Sequence, residues 1–168
     1  YSDIKEIEIE DNLYETVISN PPYSQEWNPI NDSRFIDYEL APKSKADYAF
    51  LLHGLSKLNE NGTMAIILPH GVLFRGSKEL TIRKKLIEYN LIDTIIGLPG
   101  KLFLNTDIPT IIIVLKKNKE TKDVLFIDAS NEYEKNGSKN ILKDENINKI
   151  IDTYFKRETI ERFSSVVS

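Results

Sequence analysis

Thr16-Val17-Ile18-Ser19-Asn20-Pro21-Pro22-Tyr23 is the segment from which the rest of this chain is best understood. Thr16, Val17 and Ile18 form a β-branched run, the composition of a strand buried on both faces. Asn20-Pro21-Pro22 must end that strand, because two prolines remove two backbone donors and fix φ near about −65°. Each residue that precedes a proline is also pushed into extended geometry. The product is a stiff elbow at the carboxyl end of a strand, the place where open α/β sheets hold their ligands.

That elbow suits a planar molecule that carries an amino group. The Asn20 side chain offers a carbonyl oxygen, the Pro21 backbone offers another, and Tyr23 supplies a flat face for stacking. For a base drawn out of a duplex, lost pairing and stacking cost a few kcal/mol. Stacking on an aromatic ring returns about 1–3 kcal/mol, and two neutral hydrogen bonds return about 0.5–1.5 kcal/mol each. The two sides nearly balance, so such a site is energetically workable.

Working outward, Ser24 to Lys45 carries Pro29 and Pro42 with little periodicity, a loop longer than a compact connection needs. Within it, Trp27 and Phe35 either line a channel for a base or DNA, or pack the loop onto the body. Ala46 to Asn59 places Tyr48, Leu51, Leu52, Leu55 and Leu58 at helical spacing, with Asn61-Gly62 as a stop. Thr63 to Leu68 is an apolar run closed by Pro69. A helix over 78–89 follows, with Ser77 as its expected cap. Ile92 to Leu98 and Thr110 to Leu115 are further strands, the first ended by Pro99-Gly100 and the second introduced by Pro109. Apolar runs separated by helices predict an α/β fold with a mostly parallel, helix-covered sheet. Only a loop joins the last two of these strands, so an antiparallel pair is expected at one edge.

Val124 to Ile127 adds a short strand after the basic turn Lys116–Lys122, whose lysines either touch phosphates or form a solvated hairpin end. From Asp144, Ile147, Ile150, Ile151, Tyr154 and Phe155 mark an amphipathic helix, which docks on the body or presents a partner-binding face. Residues 1–13 give only a weak alternation at Ile4, Ile7 and Ile9, read as a short strand or ordered loop. Two units are therefore expected: 1–130 as the sheet domain and 131–168 as a helical C-terminal extension.

Composition narrows the function classes. With 168 residues, 40% hydrophobic and 29% charged, the chain can bury a core as one domain. It has no cysteine and two histidines, which argues against a disulfide framework, a cysteine nucleophile and a structural zinc site. No metal is expected. No apolar run approaches the roughly 20 residues that span a bilayer, and nothing resembles a signal peptide, so a soluble cytoplasmic protein without membrane contact is expected. A net charge of −4 argues against gripping DNA by phosphate neutralisation alone.

Asn20-Pro21-Pro22-Tyr23 resembles the catalytic motif of amino methyltransferases that use S-adenosylmethionine, a motif shared by enzymes of adenine, cytosine and protein glutamine. Further blocks, in order, are similar to the modification (M) subunit of type I restriction–modification systems. They are Lys45-Ala46-Asp47-Tyr48-Ala49-Phe50, then Leu68-Pro69-His70-Gly71-Val72-Leu73-Phe74-Arg75-Gly76, then Leu102-Phe103-Leu104-Asn105-Thr106-Asp107-Ile108-Pro109-Thr110, and finally Val124-Leu125-Phe126-Ile127-Asp128-Ala129-Ser130. This resemblance implies the C-terminal half of a Rossmann-like methyltransferase sheet and methyl transfer from S-adenosylmethionine to the adenine amino group of DNA after base flipping.

On that reading Asn20 and Pro21 accept from the amine, Pro22 holds the geometry, Tyr23 stacks on the base, and Asn20 also borders the cofactor. Trp27 and Arg75 are the expected DNA contacts, while His70 is expected to pack in its turn or face solvent. Partners implied are DNA, a specificity subunit and a restriction subunit. The first glycine is Gly54, so the family's glycine-rich cofactor loop and its ribose-holding acidic residue have no counterpart in this sequence. The cofactor site is expected to be incomplete, the chain inactive alone, and its open sheet edge prone to self-association. Asp107 stands where the family commonly shows glycine. Two other readings remain open: an interaction module that keeps a methyltransferase-like sheet, and a piece of a glutamine methyltransferase.

Overall fold

A computed structural model describes residues 13–168; the alternation at Ile4, Ile7 and Ile9 lies outside the described residues. In chain order the elements are β1 (Tyr14–Ser19), α1 (Asp47–Ser56), β2 (Leu58–Pro69), a 3-10 turn (His70–Leu73), α2 (Lys78–Glu88), β3 (Ile92–Gly97) and β4 (Thr110–Lys116). They are followed by β5 (Val124–Asp128), β6 (Glu134–Asn136), β7 (Lys139–Ile141), α3 (Asp144–Lys156) and β8 (Ser164–Val167). Six strands form one sheet in the order β1-β2-β4-β3-β5-β8, and β6 and β7 form a separate hairpin.

Strands β1, β2, β3 and β5 run one way, whereas β4 and β8 run against them. The expected mostly parallel α/β sheet with an antiparallel edge strand is therefore present, and the edge strand is β8. The antiparallel partnership of β3 with β4 is also present, but β4 lies inside the sheet between β2 and β3. Its composition explains the difference: Ile111 and Leu115 are fully buried and Ile113 nearly so. A strand that is β-branched on both faces gains most by pairing on both sides.

The opposite correction applies to β1. It is an edge strand, and Ile18 is 82% exposed, so the expectation of burial on both faces does not hold among the described residues. Asn61-Gly62 does not stop a helix either. Helix α1 ends at Ser56, and both residues lie within β2. A Cβ at Gly62 would stand 3.0 Å from the Tyr14 carbonyl oxygen, so the glycine permits β1 to close on β2 where their register shifts. Ser77 makes no side-chain cap bond to α2. The segment after 131 holds more than a helix, since it adds the β6–β7 hairpin and β8.

Alternation along the strands separates the two faces. Met64, Ile66 and Leu68 of β2, with Ile111, Ile113 and Leu115 of β4, pack with α1, α2 and the long loop. On the other face, Thr63, Ala65, Ile112 and Val114 look towards α3 across an apolar-walled cavity of about 510 Å³. Helix α3 docks through buried Ile150 and Thr153, and Arg157 just past its end reaches buried Asp93 at 3.3 Å. Ile147, Ile151 and Phe155 edge the cavity but stay substantially exposed. Among the described residues, no helix is long and apolar enough to cross a membrane.

Candidate active site

Prolines gather at one end of the sheet. Ser19 of β1 pairs with Ile66 of β2, and Pro69 pairs with Thr110, which follows Pro109. The His70 N–H donates to the Pro109 carbonyl at 3.2 Å. Asn20-Pro21-Pro22-Tyr23 leaves β1 at this end and faces a cavity of about 600 Å³, whose far wall is Phe103, Leu104, Asn105, Thr106 and Ile108. Pro21 is buried and anchors the elbow, whereas Asn20 is exposed.

The Tyr23 hydroxyl donates to Asn20 Oδ1 at 2.9 Å. Partial burial raises the Tyr23 phenol above its ordinary range, so it remains a donor. An amide oxygen has two lone pairs, and Asn20 Oδ1 can thus accept a second donor from the cavity side. The Tyr23 ring is half-buried and meets Phe103 edge-on, with centroids 6.0 Å apart. Phe103 therefore limits the tilt of the ring.

Directly after Tyr23, Ser24 adopts φ +49°, an uncommon conformation for a residue with a side chain. Buried Asp47 at the start of α1 holds it there, its Oδ1 accepting the Ser24 N–H at 2.7 Å. The other oxygen of Asp47 accepts from Arg75 at 2.6 Å, and Arg75 Nε lies 2.8 Å from Glu79. Burial pushes the Glu79 carboxyl up, with Arg75 opposing. One buried acidic side chain thus ties the elbow, the first helix and the turn after β2 together. Arg75 points inward to this pair and its side chain is 20% exposed, so its guanidinium is committed to Asp47 and Glu79. The expectation of a phosphate contact at Arg75 gives way to a bracing role.

Trp27 also turns inward. It is 7% exposed, its Nε1–H donates to the Pro42 carbonyl at 3.0 Å, and its ring meets Phe35 edge-on. Of the two roles open to Trp27 and Phe35, the structure shows loop packing, because two large aromatics bury more apolar area than the polar loop could otherwise hide. His70 is exposed and stacks edge-on with Phe74. The basic turn is folded back on the sheet: Lys117 donates to the Leu58 carbonyl and Lys119 to those of Ile92 and Asp123.

The cavity's far wall is held by the β6–β7 hairpin. Lys139 Nζ donates to the Phe103 carbonyl at 2.8 Å, the Thr106 carbonyl at 3.4 Å and Asp107 Oδ1 at 2.9 Å. Asn140 adds its backbone N–H to the Lys101 carbonyl and its side chain to the Gly100 carbonyl. The hydrogen bond from Lys139 holds the Asp107 carboxyl below its ordinary range. Asp107 thus serves where glycine would offer no side chain. Sequence reading missed Lys139, Asn140 and the role of Asp47. Asn136-Gly137, with Gly137 at φ +63°, was the available hairpin signal, and an acidic residue opening an otherwise apolar helix was the signal for Asp47.

The sequence profile of the family described as N-6 DNA Methylase matches residues 2–168. This chain belongs to that family. It is 46% identical over 165 residues to the type I restriction enzyme MpnII methylase subunit of Mycoplasma pneumoniae, covering 94% of this chain and 30% of that protein. It is 45% identical over 132 residues to the MjaVII methylase subunit of Methanocaldococcus jannaschii, covering 75% of this chain and 22% of that one. The crystal structure of a type I restriction–modification methyltransferase subunit from Streptococcus thermophilus is 50% identical and superposes with a TM-score of 0.93, over 98% of this chain and 36% of that one. The chain spans less than two fifths of each of these relatives.

Each of the four sequence blocks has a physical place in this fold. Lys45–Phe50 places Asp47 beneath the elbow, and Leu68–Gly76 brings Arg75 to it. Leu102–Thr110 forms the facing wall, and Val124–Ser130 contains β5, which pairs in parallel with β3.

Proposed function

We propose that this chain is the part of a type I modification subunit that receives an extruded adenine and presents its amino group for methylation. The carrying observation is the elbow itself: an exposed Asn20 oxygen and a braced Tyr23 ring meet at the rim of one cavity. The adenine N6 amine donates to Asn20 Oδ1 and to the Pro21 carbonyl oxygen, while the base lies against Tyr23. These two acceptors hold the N6 hydrogens and leave the nitrogen lone pair directed away from the ring plane. Pro21 and Pro22 keep the two oxygens fixed before the base arrives, so little ordering remains to be done.

S-adenosylmethionine, when bound, supplies a methyl group on a sulfonium with a good leaving group. The residues present fit the acceptor side of such a site, with Asn20 at the open end of β1 next to where the cofactor would lie. No side chain of this elbow need act as a base, because the surplus proton stays on the methylated nitrogen, hydrogen-bonded to the Asn20 and Pro21 oxygens, until it passes to water at the exposed rim.

The net charge of −4 fits a subunit that relies on a specificity subunit for reading and holding DNA, within a cytoplasmic complex that also includes a restriction subunit. In the intact modification complex, Asn20→Ala should abolish methylation while leaving subunit assembly unchanged by size-exclusion chromatography. Wild-type turnover in that variant would overturn the role assigned to Asn20.

A further inference from the structure

Among the large hydrophobic side chains of the described residues, Leu104 is the most exposed, at 88%. A lone exposed leucine on a loose loop would mean little. This one sits on a clamped loop. Lys139 holds the Phe103 and Thr106 carbonyls on either side of it, and Phe103 and Thr106 are bridged to each other. Asn140 secures the loop's beginning, and Thr106 Oγ1 accepts the Ile108 N–H. The hairpin thus holds an apolar side chain out in water at the rim of the cavity, opposite Asn20 and Tyr23.

We infer that Leu104 is a wedge that fills the gap left in the DNA stack when the target base moves into the Asn20–Tyr23 cavity. This rests on the adenine-holding reading given above. Extrusion leaves a slot between two flat base faces beside an unpaired partner base, and that slot is closed well by a branched apolar side chain. Withdrawal of Leu104 from water into the slot offsets part of the unstacking, and the rigid loop avoids an ordering loss on contact. Phe103, carried on the same loop, touches the Tyr23 ring, so entry of the wedge and support of the stacked base are mechanically linked.

The test uses the intact modification complex with its partner subunits and two duplexes, one with the target adenine paired to thymine and one with it opposite an abasic site. Leu104→Ala should lower kcat/KM on the paired duplex by about tenfold or more and on the abasic duplex by less than about threefold, because an unpaired base is already cheap to extrude. Leu104→Phe should retain activity on both. With 2-aminopurine at the target position, Leu104→Ala should reduce the fluorescence rise that reports extrusion. Equal losses on the two duplexes, or full activity on both, would overturn the wedge. Failure of the underlying reading shows separately, as turnover in Asn20→Ala whatever Leu104 does.

Discussion

Replacement of Asp47 by Asn tests whether a buried charge holds the elbow in place. The change keeps an oxygen for the Ser24 N–H, now 2.7 Å away, but removes the negative charge that meets Arg75 at 2.6 Å. Breaking a buried pair by removing one partner costs about 3–5 kcal/mol. Two features reduce that figure: Arg75 is 20% exposed and keeps Glu79, and Asn preserves the neutral hydrogen bond. A loss of about 2 kcal/mol is expected, near the value of one charge-assisted hydrogen bond. For a chain of this size it lowers the melting temperature by about 4–8 °C, measurable by circular dichroism. A double-mutant cycle with Arg75→Met should give a coupling of about 1–3 kcal/mol, because the two residues share one contact. Melting within about 1 °C of wild type, or strict additivity in the cycle, would refute the proposal that this ion pair organises the site.

Two further outcomes are expected. Among the described residues strand β1 is an edge with Ile18 82% exposed, so this chain should self-associate at high concentration, and Ile18→Lys should suppress the association; a wild-type chain that sediments strictly as a monomer would contradict it. Lys139 holds the Asp107 carboxyl below its ordinary range, so the bridge contributes above the unfolded-state value and is lost as pH falls through the depressed one. NMR order parameters of residues 102–107 should fall on acidification in wild type and be low and flat in Asp107→Asn; parallel behaviour of the two proteins would count against the clamp.

Elements whose evidence is local were legible in the chain. Helix α1, helix α3 and the runs that became β2, β3, β4 and β5 follow from periodicity and proline punctuation within windows of about ten residues. The elbow was legible for the same reason, since two consecutive prolines restrict their own backbone whatever surrounds them. Arg75 and Trp27 were not: a cation and an aromatic in a polar loop look alike whether they face a ligand or the interior. The partners that turned them inward, Asp47 and Glu79 for Arg75, Pro42 and Phe35 for Trp27, become neighbours only through the fold.

Residue types and their spacing thus established the α/β class and the stiff Asn20-Pro21-Pro22-Tyr23 elbow on which the proposed amine-accepting site rests, because these depend on covalent geometry and side-chain functional groups. Packing of distant segments settled the rest. It placed β4 between β2 and β3, left β1 at the edge, set Asp47 beneath Ser24 and laid Lys139 across the loop that carries Leu104. Each of these contacts joins residues at least fourteen positions apart, where the free energy comes from burial and charge pairing across the chain and leaves no periodic trace along it.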